Sequence, residues 1–484
     1  MAISDTSPAT VLPVGASELA AQVAGPVFLP GDDGYAEEAG IYNLSLVLEP
    51  ALIVGVTSEA DVQAAVRFAA RRQMPVAVKS TGHQVARPGH GALLISTQRM
   101  SAVTIDPDYR TARIGPGVRW EQMIDEAAEF GLAPMNGSSP TVGAIGYTLG
   151  GGQSVAWSRS KGYAADHVLS LDVVTADGRL RHVTADNDPE LFWALRGGKD
   201  NFGVVTAMVC ELFPQAEIYG GGVWFAIHHV AEVMPAWREW LETLPEEATT
   251  AVAVQHLPPV PDLPAPLRGA SVLHLRFTHL GSPVEGRRLF APMRAIAPSI
   301  LDTVSVMPYK SIGTVYLDPP EPTPYWDRGT MLTGLPKEAL NEFVALTGPD
   351  SGSPLLSVEI RQLGGAMDRQ PTSPNAVPTR GLPFVMFAFG VGGPEEEELM
   401  RGYLAKLISG MEPWSADRKM INFLSADEGT DPEELRAVYG EQRYERLARI
   451  KKTYDPLNLF RTNHNIPPLR SGAAVPLSPP PVSN

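Results

Sequence analysis

Six glycines lie among the seventeen residues from 136 to 152, which read Asn-Gly-Ser-Ser-Pro-Thr-Val-Gly-Ala-Ile-Gly-Tyr-Thr-Leu-Gly-Gly-Gly. Glycine at this density disfavours a regular helix or strand, because glycine loses more backbone freedom on ordering than any other residue. Val142, Ile145 and Leu149 are interleaved with the glycines and argue against the alternative, a solvated and flexible linker. The stretch predicts a buried loop, outside regular secondary structure, whose backbone approaches a flat or phosphorylated ligand.

A second loop comes earlier in the chain, in residues 77–84, which read Ala-Val-Lys-Ser-Thr-Gly-His-Gln. An apolar run ends there and the chain turns through Gly82, where backbone N–H groups can face a phosphate while Lys79 supplies positive charge. His83 follows the glycine and would point toward a ligand held by the turn. A solvent-facing loop histidine is the alternative interpretation.

The composition limits the class of protein. The 484 residues include 54 acidic and 39 basic side chains, a net charge of −15, which disfavours nucleic acid or an anionic membrane as a partner. Cys210 is the single cysteine, so neither an intrachain disulfide nor a cysteine zinc cluster is possible, and no histidine pair has a zinc spacing. We therefore expect no metal site. Without a secretory signal or an apolar run of about 18 residues, the sequence predicts a soluble, cytoplasmic protein.

The order of the apolar segments predicts an α+β fold. Residues 51–56 and 75–78 are short apolar runs on either side of a helical pattern at 59–73, which indicates a strand–helix–strand unit. Asp177-Gly178 predicts a hairpin turn. The second half contains well-separated strand-like runs and fewer helices, which favours an antiparallel sheet backed by helices. Residues 433–454 are predicted to form one charged helix.

Several familiar site motifs are absent. Gly197-Gly-Lys199 is followed by Asp200, so it does not complete a phosphate-binding loop of the Walker type. No Gly-x-Gly-x-x-Gly follows the first predicted strand, and no Gly-x-Ser-x-Gly occurs. The residues alone predict a glycine-lined nucleotide or cofactor pocket and do not name the cofactor.

Four motifs in order carry a family resemblance. They are residues 78–84, residues 139–152, residues 188–206 and residues 454–466. Together they resemble the FAD-binding flavoproteins of the vanillyl-alcohol oxidase/p-cresol methylhydroxylase (PCMH) type, and within them the berberine bridge enzyme-like subgroup. The resemblance implies a two-domain α+β fold in which an antiparallel-sheet substrate domain, capped by helices, covers an FAD domain.

The resemblance also implies domain boundaries. The FAD-binding domain is expected at residues 25–215 and the substrate-binding domain at 216–425. Residues 426–468 would return to the FAD domain. The flanking segments would be an N-terminal extension at 1–24 and a disordered tail at 469–484.

The resemblance implies FAD as cofactor, bound through an 8α-histidyl bond to His83. Bicovalent relatives carry a cysteine where this chain has Ser139, so one covalent bond is expected. The residues that the resemblance assigns to cofactor binding come from both glycine-bearing loops, the close of the FAD domain and the C-terminal segment: Lys79, Ser80, Thr81, Gly82, His83, Gln84, Thr141, Val142, Gly143, Gly146, Tyr147, Gly150, Gly151, Gly152, Gly203, Val205, Asn463 and Asn465.

The implied activity is that of an oxidase. A substrate C–H would deliver hydride to flavin N5, and oxygen would take the electrons and form hydrogen peroxide. Val142 resembles the residue of oxygen-reactive relatives, although a packing role is equally open. The expected substrate is a small secondary metabolite or alcohol. Three alternatives remain: a dehydrogenase, a cyclase or isomerase without net oxidation, and a flavin-binding protein that has lost catalysis.

Three residues depart from the family pattern: Thr81 replaces a glycine, Tyr147 stands where many relatives have histidine, and Met420 takes the place of a tyrosine that often acts as the base. A thioether cannot accept a proton in that role. The candidate catalytic residues are therefore sought elsewhere, and they are Glu359, Arg361, Tyr309 and Tyr325. Strand alternation places Glu359 and Arg361 on one face. An ion pair for Glu359 and packing or surface roles for the tyrosines are the alternatives.

Overall fold

The computed structural model describes residues 15–469. The expected tail at 469–484 therefore lies outside the described residues except for its first residue, as do residues 1–14 of the expected N-terminal extension. No helix within the described range combines the length and apolar character that a bilayer crossing requires. No three His, Cys, Asp or Glu side chains between residues 15 and 469 gather into a metal site.

The strands of the described residues are, in chain order, β1 Val27–Phe28, β2 Leu52–Gly55, β3 Val76–Lys79, β4 Leu93–Ser96, β5 Val103–Asp106, β6 Thr111–Ile114, β7 Leu132–Ala133, β8 Val168–Val174, β9 Leu180–Val183, β10 Val204–Glu211, β11 Phe213–Pro214, β12 Glu217–Ala226, β13 Ala248–His256, β14 Ser271–His279, β15 Ser299–Asp302, β16 Ser305–Pro308, β17 Tyr325–Leu332, β18 Ser357–Gln362, β19 Phe384–Val391 and β20 Ser415–Ala416.

The α-helices of the same range are α1 Ala16–Ala20, α2 Tyr35–Ala39, α3 Glu59–Arg72, α4 Trp120–Ala128, α5 Ala144–Leu149, α6 Ser158–Lys161, α7 Pro189–Leu195, α8 Val230–Trp240, α9 Pro283–Arg294, α10 Lys337–Thr347, α11 Glu397–Met411, α12 Pro432–Tyr439 and α13 Glu441–Tyr454.

The first sheet has the order β1-β2-β4-β3, and β2, β4 and β3 are parallel. The predicted strand–helix–strand unit is confirmed in β2, α3 and β3. Ser58 caps α3 by accepting a hydrogen bond from the Asp61 backbone N–H, and Gln73 ends it with a left-handed φ of +54°. Val62 and Val66 on α3 are buried against the sheet. This unit delivers the end of β3, and the loop after it, to the site described below.

The second sheet has the order β5-β6-β10-β8-β9, and its strands pair antiparallel. The predicted hairpin at Asp177-Gly178 is confirmed: Gly178 has φ +71°, and β8 and β9 pair on either side of the turn. Cys210 lies on β10, opposite Ala112 of β6, and is buried.

The third sheet is the predicted antiparallel one, with the order β15-β12-β14-β13-β18-β19-β17-β20 and with β16 also paired to β12. Side chains alternate between its two faces. One face is apolar and packs on helices α8 to α11 in a core that includes Trp237, Leu275, Phe343, Ile360 and Leu404. The expected antiparallel sheet capped by helices is thereby confirmed.

The opposite face of this sheet is polar and meets the first half of the chain. Arg276 on β14 and Arg361 on β18 both pair in register with Ala251 of the intervening β13. Arg361 donates from Nη1 to the Gln153 side-chain oxygen at 3.0 Å, and Thr278 donates to the Val155 carbonyl at 2.9 Å. The sheet therefore lies directly over the chain that follows the glycine-rich stretch.

Two sequence predictions need correction. The predicted single helix at residues 433–454 is two helices, α12 and α13, because Gly440 between them adopts φ +76° and ψ 145°. The glycine-rich stretch is not wholly irregular either, since residues 144–149 form the short helix α5. Gly143 precedes that helix, Gly146 lies within it, and Gly150 ends it.

Candidate functional site

A deep cleft lies between the two predicted ligand loops and the polar face of the third sheet. Its walls come from the loop after β3, the glycine-rich stretch, the turn between α7 and β10, and one side chain of β18. Most of the lining is supplied by residues 78–85, 137–139, Val142, Gly143, 145–147, Lys199, Asp200, Gly203, Val205, Arg361, Met420, Asn422 and Phe423. The loops predicted from sequence thus meet in one cavity.

The first loop is held tightly in its turn. Gly82 has φ +72°, and a Cβ at this position would lie 2.9 Å from Cα of Ile41, so a side chain is excluded on both counts. The Ser80 hydroxyl donates to the Pro116 carbonyl at 2.6 Å. The Thr81 hydroxyl accepts from the Gly143 backbone N–H at 3.2 Å, which ties this loop to the glycine-rich stretch.

His83 lies partly buried in the cleft wall with both ring nitrogens in contact with hydroxyls. Nδ1 is 3.1 Å from Oγ1 of Thr81, and Nε2 is 3.2 Å from Oγ1 of Thr141. The imidazole stacks on the Tyr42 ring, with centroids 4.1 Å apart. Burial, with a smaller effect from Arg119, lowers the pKa of His83 to about 3. The ring is therefore neutral at physiological pH, fixed in orientation, and retains a nitrogen lone pair.

Lys79 is placed differently from its predicted role. Its ammonium donates to the carbonyl oxygens of Glu38 and Gly40 at 2.6 and 2.8 Å. Burial lowers its pKa, and Glu38 partly offsets that effect. Lys79 therefore binds the segment around α2 to the end of β3, and its charge is already occupied within the chain.

Tyr147 takes up space that the sequence had suggested for a ligand. Its ring lies in a slot between two glycines: a Cβ at Gly137 would be 2.8 Å from Cε2 of Tyr147, and a Cβ at Gly152 would be 2.5 Å from Cε1. Trp120 meets the ring edge-on at 5.2 Å. The Tyr147 hydroxyl is buried beside the cleft without a hydrogen-bond partner, and burial raises its pKa well above the ordinary value.

Residues 420–424 close the cleft from one side. Gln84 donates from Nε2 to the carbonyls of Ile421 and Leu424 at 2.8 and 3.0 Å. Met420 is buried in the wall. The side-chain oxygen of Asn422 is buried and unpaired, while its Nδ2 donates to the Tyr147 carbonyl at 2.8 Å.

The remaining predicted cofactor residues fall into three groups. Val142, Gly143, Gly146, Gly203 and Val205 line the cleft. Asn463 lines a smaller adjoining cavity, and the side-chain oxygens of Asn463 and Asn465 are buried and unpaired. The third group does not line the main cleft, although the Thr141 hydroxyl contacts His83; it comprises Thr141, Gly150, Gly151 and Gly152.

Glu359 and Arg361 belong to a buried ionic cluster. Glu359 accepts from Arg361 at 2.8 Å (Nε) and 2.5 Å (Nη2), and from Arg276 through Nη1. Burial alone would raise the pKa of Glu359, but the two guanidinium groups hold it below its ordinary value. Arg361 lines the cleft and lies over the rings of Tyr316 and Phe423. The cluster presents a fixed guanidinium to the cleft, with Glu359 behind it.

The two candidate tyrosines occupy different environments. The Tyr325 hydroxyl donates to the His83 carbonyl at 3.3 Å, and its ring meets Tyr42 edge-on at 6.2 Å. Tyr309 is buried away from the cleft: its hydroxyl accepts from the Trp157 indole N–H at 3.0 Å and lies 2.7 Å from the Asn136 side-chain oxygen. The structure brings Tyr325 to the histidine loop and does not bring Tyr309 to the cleft.

Comparison with known proteins identifies the family. A sequence profile described as FAD binding domain matches residues 50–184, and a profile described as Berberine and berberine like matches residues 421–467. The chain is 28% identical to (R)-6-hydroxynicotine oxidase of Paenarthrobacter nicotinovorans over 471 residues, which cover 92% of this chain and 97% of the relative. The chain belongs to the berberine bridge enzyme-like, PCMH-type flavoproteins. It is an FAD-dependent oxidoreductase.

Two further similarities were found, one in sequence and one in structure. Xylooligosaccharide oxidase of Thermothelomyces thermophilus is 28% identical over 469 residues, 90% of either chain. The crystal structure of 6-hydroxy-D-nicotine oxidase from Arthrobacter nicotinovorans superposes with a TM-score of 0.81 at 24% identity, over 92% of this chain and 98% of that chain. The last similarity confirms the fold expected from the sequence.

The residues of the flavoprotein's cleft fit FAD. Gly82, Gly143 and Gly146 leave its wall without side chains, which lets a flat or phosphorylated group approach the backbone. The unpaired side-chain oxygens of Asn422, Asn463 and Asn465 and the unpaired Tyr147 hydroxyl are the kind of buried polar atoms that a ligand with many donors and acceptors would satisfy.

Two features around the cleft were missed in the sequence. Tyr42 stacks on His83, and its hydroxyl donates to the Pro319 carbonyl at 2.5 Å. Asp318, next in the chain to Pro319, has its pKa raised by burial, with Arg276 and Ser138 opposing, and Ser138 lines the cleft. The hydrogen bond from Tyr42 to Pro319 joins residues 277 positions apart, so no local sequence pattern could have revealed it.

Lys199 was also missed, although the sequence analysis had considered it as part of an incomplete Walker motif. It lines the cleft, and its ammonium donates to the Gln84 side-chain oxygen at the end of the first loop. Burial lowers its pKa to about 8, with Asp200 opposing. The sequence signal that could have pointed to Lys199 is its position directly after Gly197 and Gly198.

Proposed function

We propose that this flavoprotein is an oxidase that carries its FAD on His83 through a single 8α-histidyl bond. In this proposal it oxidises a C–H bond of a small secondary metabolite or alcohol, with oxygen as the acceptor and hydrogen peroxide as a product. When bound, FAD would supply a two-electron acceptor that oxygen can regenerate. The observation that carries the proposal is the neutral, doubly hydrogen-bonded His83 at the cleft wall.

The environment of His83 suits it to form a covalent bond to carbon. A neutral imidazole offers a lone pair on one nitrogen, whereas a protonated one offers none. Thr81 and Thr141 hold the two nitrogens, and the Tyr42 ring fixes the plane of the imidazole. A second bond through sulfur is disfavoured, since Cys210 is buried in β10 and burial raises the pKa of its thiol to about 12.

The substrate side of the cleft is formed by the polar face of the third sheet and by residues 420–423. Arg361 projects a guanidinium there, and Met420 and Phe423 add apolar surface that excludes water. Glu359 acts in this proposal as a positioning residue, because two arginines keep it ionised and occupied. Apolar and aromatic surface around one cation favours a small aromatic or heterocyclic substrate over a sugar.

Asp318 is the proton acceptor in this proposal. Burial raises its pKa above that of an ordinary aspartate, which brings it closer to the value that suits a general base near neutral pH. Ser138, which interacts with the Asp318 carboxyl, lines the cleft. Met420, at the position of the family tyrosine, has no proton to exchange.

One alternative has specific support. Met420 at the place of the family tyrosine favours a flavin-binding protein that has lost catalysis. Peroxide formation during turnover separates the oxidase from this alternative and from a cyclase or isomerase that works without net oxidation. A panel of cyclic amines, aromatic alcohols and oligosaccharides should contain substrates that yield peroxide in proportion to the substrate consumed.

The cofactor part of the proposal is tested by acid precipitation of the purified protein. The yellow colour should remain with the precipitate of the parent protein and pass to the supernatant in the His83→Ala variant. Tyr309→Phe is a matched control that changes a buried hydroxyl away from the cleft, and it should keep the colour in the precipitate. Release of all the flavin from the parent protein would contradict the covalent bond.

A further inference from the structure

Three cationic side chains line the main cleft within the described residues: Lys79, Lys199 and Arg361. Lys79 is occupied by two backbone carbonyls, and Arg361 by Glu359 and Gln153. Lys199 is different, since within residues 15–469 its ammonium makes one hydrogen bond, to the Gln84 side-chain oxygen. An ammonium has three donors, so this cation retains unused capacity inside the cleft.

The backbone of Lys199 is held in an unfavourable conformation. Its φ is +55°, in the left-handed region that glycine adopts readily and that a residue with a Cβ adopts at a cost. Non-glycine residues in this region concentrate at functional sites, where the surrounding structure enforces the conformation. Lysine occupies this position although glycine would adopt its backbone conformation at lower cost.

The glycine-rich stretch makes room for the stem of this side chain. A Cβ at Gly150 would lie 2.8 Å from Cε of Lys199 and 2.0 Å from the Asn422 side-chain oxygen. That oxygen is itself buried and unpaired. The stem of Lys199 thus passes the bare backbone of Gly150 and carries the ammonium across to the first loop.

The charge balance around Lys199 favours an anionic ligand. Burial lowers its pKa to about 8, and Asp200 only partly opposes this effect. Asp200 forms no ion pair with it within 4.0 Å among the described residues. Its hydrogen-bond partner Gln84 ends the loop of residues 78–84, whose turn through Gly82 can present backbone N–H groups to a phosphate.

We propose that Lys199 binds the diphosphate of FAD and supplies the positive charge that Lys79, engaged with Glu38 and Gly40, cannot supply. Gln84 holds the ammonium at the end of the phosphate loop, and Gly150 provides the passage for its stem. Lys199 is a cofactor-binding residue in this assignment and takes no part in the reaction with substrate. The assignment holds whether or not His83 forms a covalent bond.

The test measures reversible cofactor binding in the His83→Ala background, in which attachment is impossible. Affinities for FAD and for riboflavin, which lacks the phosphates, are measured by quenching of flavin fluorescence in the parent and in Lys199→Met. We expect FAD affinity to fall about tenfold or more, as for loss of a charged hydrogen bond, while riboflavin affinity stays within about twofold. Lys199→Arg should retain most of the FAD affinity, and Lys337→Met, on the exposed start of α10, should have no effect.

A second variant separates cofactor binding from folding. Lys199→Gly relieves the left-handed backbone, so the apoprotein should melt at the same or a higher temperature while its FAD affinity still falls. Its FAD affinity should also depend less steeply on salt than that of the parent. Unchanged FAD affinity in Lys199→Met, or an equal loss for riboflavin and FAD, would overturn the assignment.

Discussion

The imidazole ring of His83 lies face to face with the phenol ring of Tyr42, with centroids 4.1 Å apart and planes inclined by 14°. Tyr42 in turn donates to the Pro319 carbonyl, on the loop between β16 and β17. The stack therefore links the loop after β3 to the part of the chain that builds the substrate side. Tyr42 therefore both orients the imidazole of His83 and ties the loop after β3 to that part of the chain.

The first prediction concerns the pH dependence of flavin attachment. Burial lowers the pKa of His83 to about 3 from 6.5, so the imidazole is neutral throughout the range from pH 5 to pH 7. Apoprotein incubated with FAD should therefore form flavin-labelled chain, read by fluorescence in a denaturing gel, at a rate that is independent of the protonation of His83. If the pKa of His83 were about 6.5, the rate of flavin attachment would fall by about 25-fold between pH 7 and pH 5. That result would contradict the assigned environment.

The same pKa has a consequence for stability. Between pH 6.5 and about pH 3 the unfolded chain binds a proton at position 83 that the folded chain does not bind. His83 therefore lowers the free energy of unfolding progressively as the pH falls through this window. Above pH 6.5 it contributes no pH dependence.

The second prediction concerns Asp318. Asp318→Asn should lower kcat by about 100-fold or more, because an amide cannot accept the substrate proton. In the parent, the acidic limb of kcat against pH should lie above the range of an ordinary aspartate, since burial raises the Asp318 pKa, and the variant should lose that limb. Glu321→Gln, an exposed change on the same loop, is the control and should leave kcat unaltered. Equal kcat in both variants would remove Asp318 from the mechanism.

The third prediction concerns Glu359. Glu359→Gln leaves Arg276 and Arg361 buried without their counterion and should lower the free energy of unfolding by about 3–5 kcal/mol. Glu246→Gln breaks an exposed pair with Arg369 and should cost about 1 kcal/mol or less. Urea denaturation of both variants provides the comparison. Similar small losses in the two would show that the buried cluster does not depend on the carboxylate.

The fourth prediction concerns the slot around Tyr147. Gly137→Ala places a methyl group 2.8 Å from Cε2 of Tyr147 and should lower the free energy of unfolding by about 1–3 kcal/mol. The cost should largely vanish when Tyr147→Ala is already present, which a double-mutant cycle measures. Gly402→Ala in α11, where a methyl group meets nothing within 4 Å, is the control. An equal cost of Gly137→Ala in both backgrounds would contradict the slot.

Local pattern sufficed for the parts of the fold that local interactions determine. The strand–helix–strand unit around α3, with its Ser58 cap, and the hairpin at Asp177-Gly178 follow from short sequence signals. The two loops predicted to hold a ligand meet at one cleft because Gly143 bonds to Thr81 across 62 positions. The family motifs supplied that association, which spacing alone could not.

Distant contacts account for what the sequence did not reveal. The sequence predicts that Lys79 supplies positive charge to a phosphate. In the structure its ammonium donates to the carbonyls of Glu38 and Gly40. The glycine-rich stretch that contains Gly137 and Gly152 is predicted to approach a ligand. In the structure these two glycines make room for the side chain of Tyr147. In each case the partner lies in another segment, so composition and spacing give no sign of it.

The central claim is that His83 is covalently joined to FAD, and the mass of the intact chain under denaturing conditions tests it most directly. We expect the parent protein to have the mass of the polypeptide plus one FAD, and digestion should place the flavin on the peptide that contains His83. A parent protein that binds FAD when folded but has the mass of the polypeptide alone once denatured would contradict the claim.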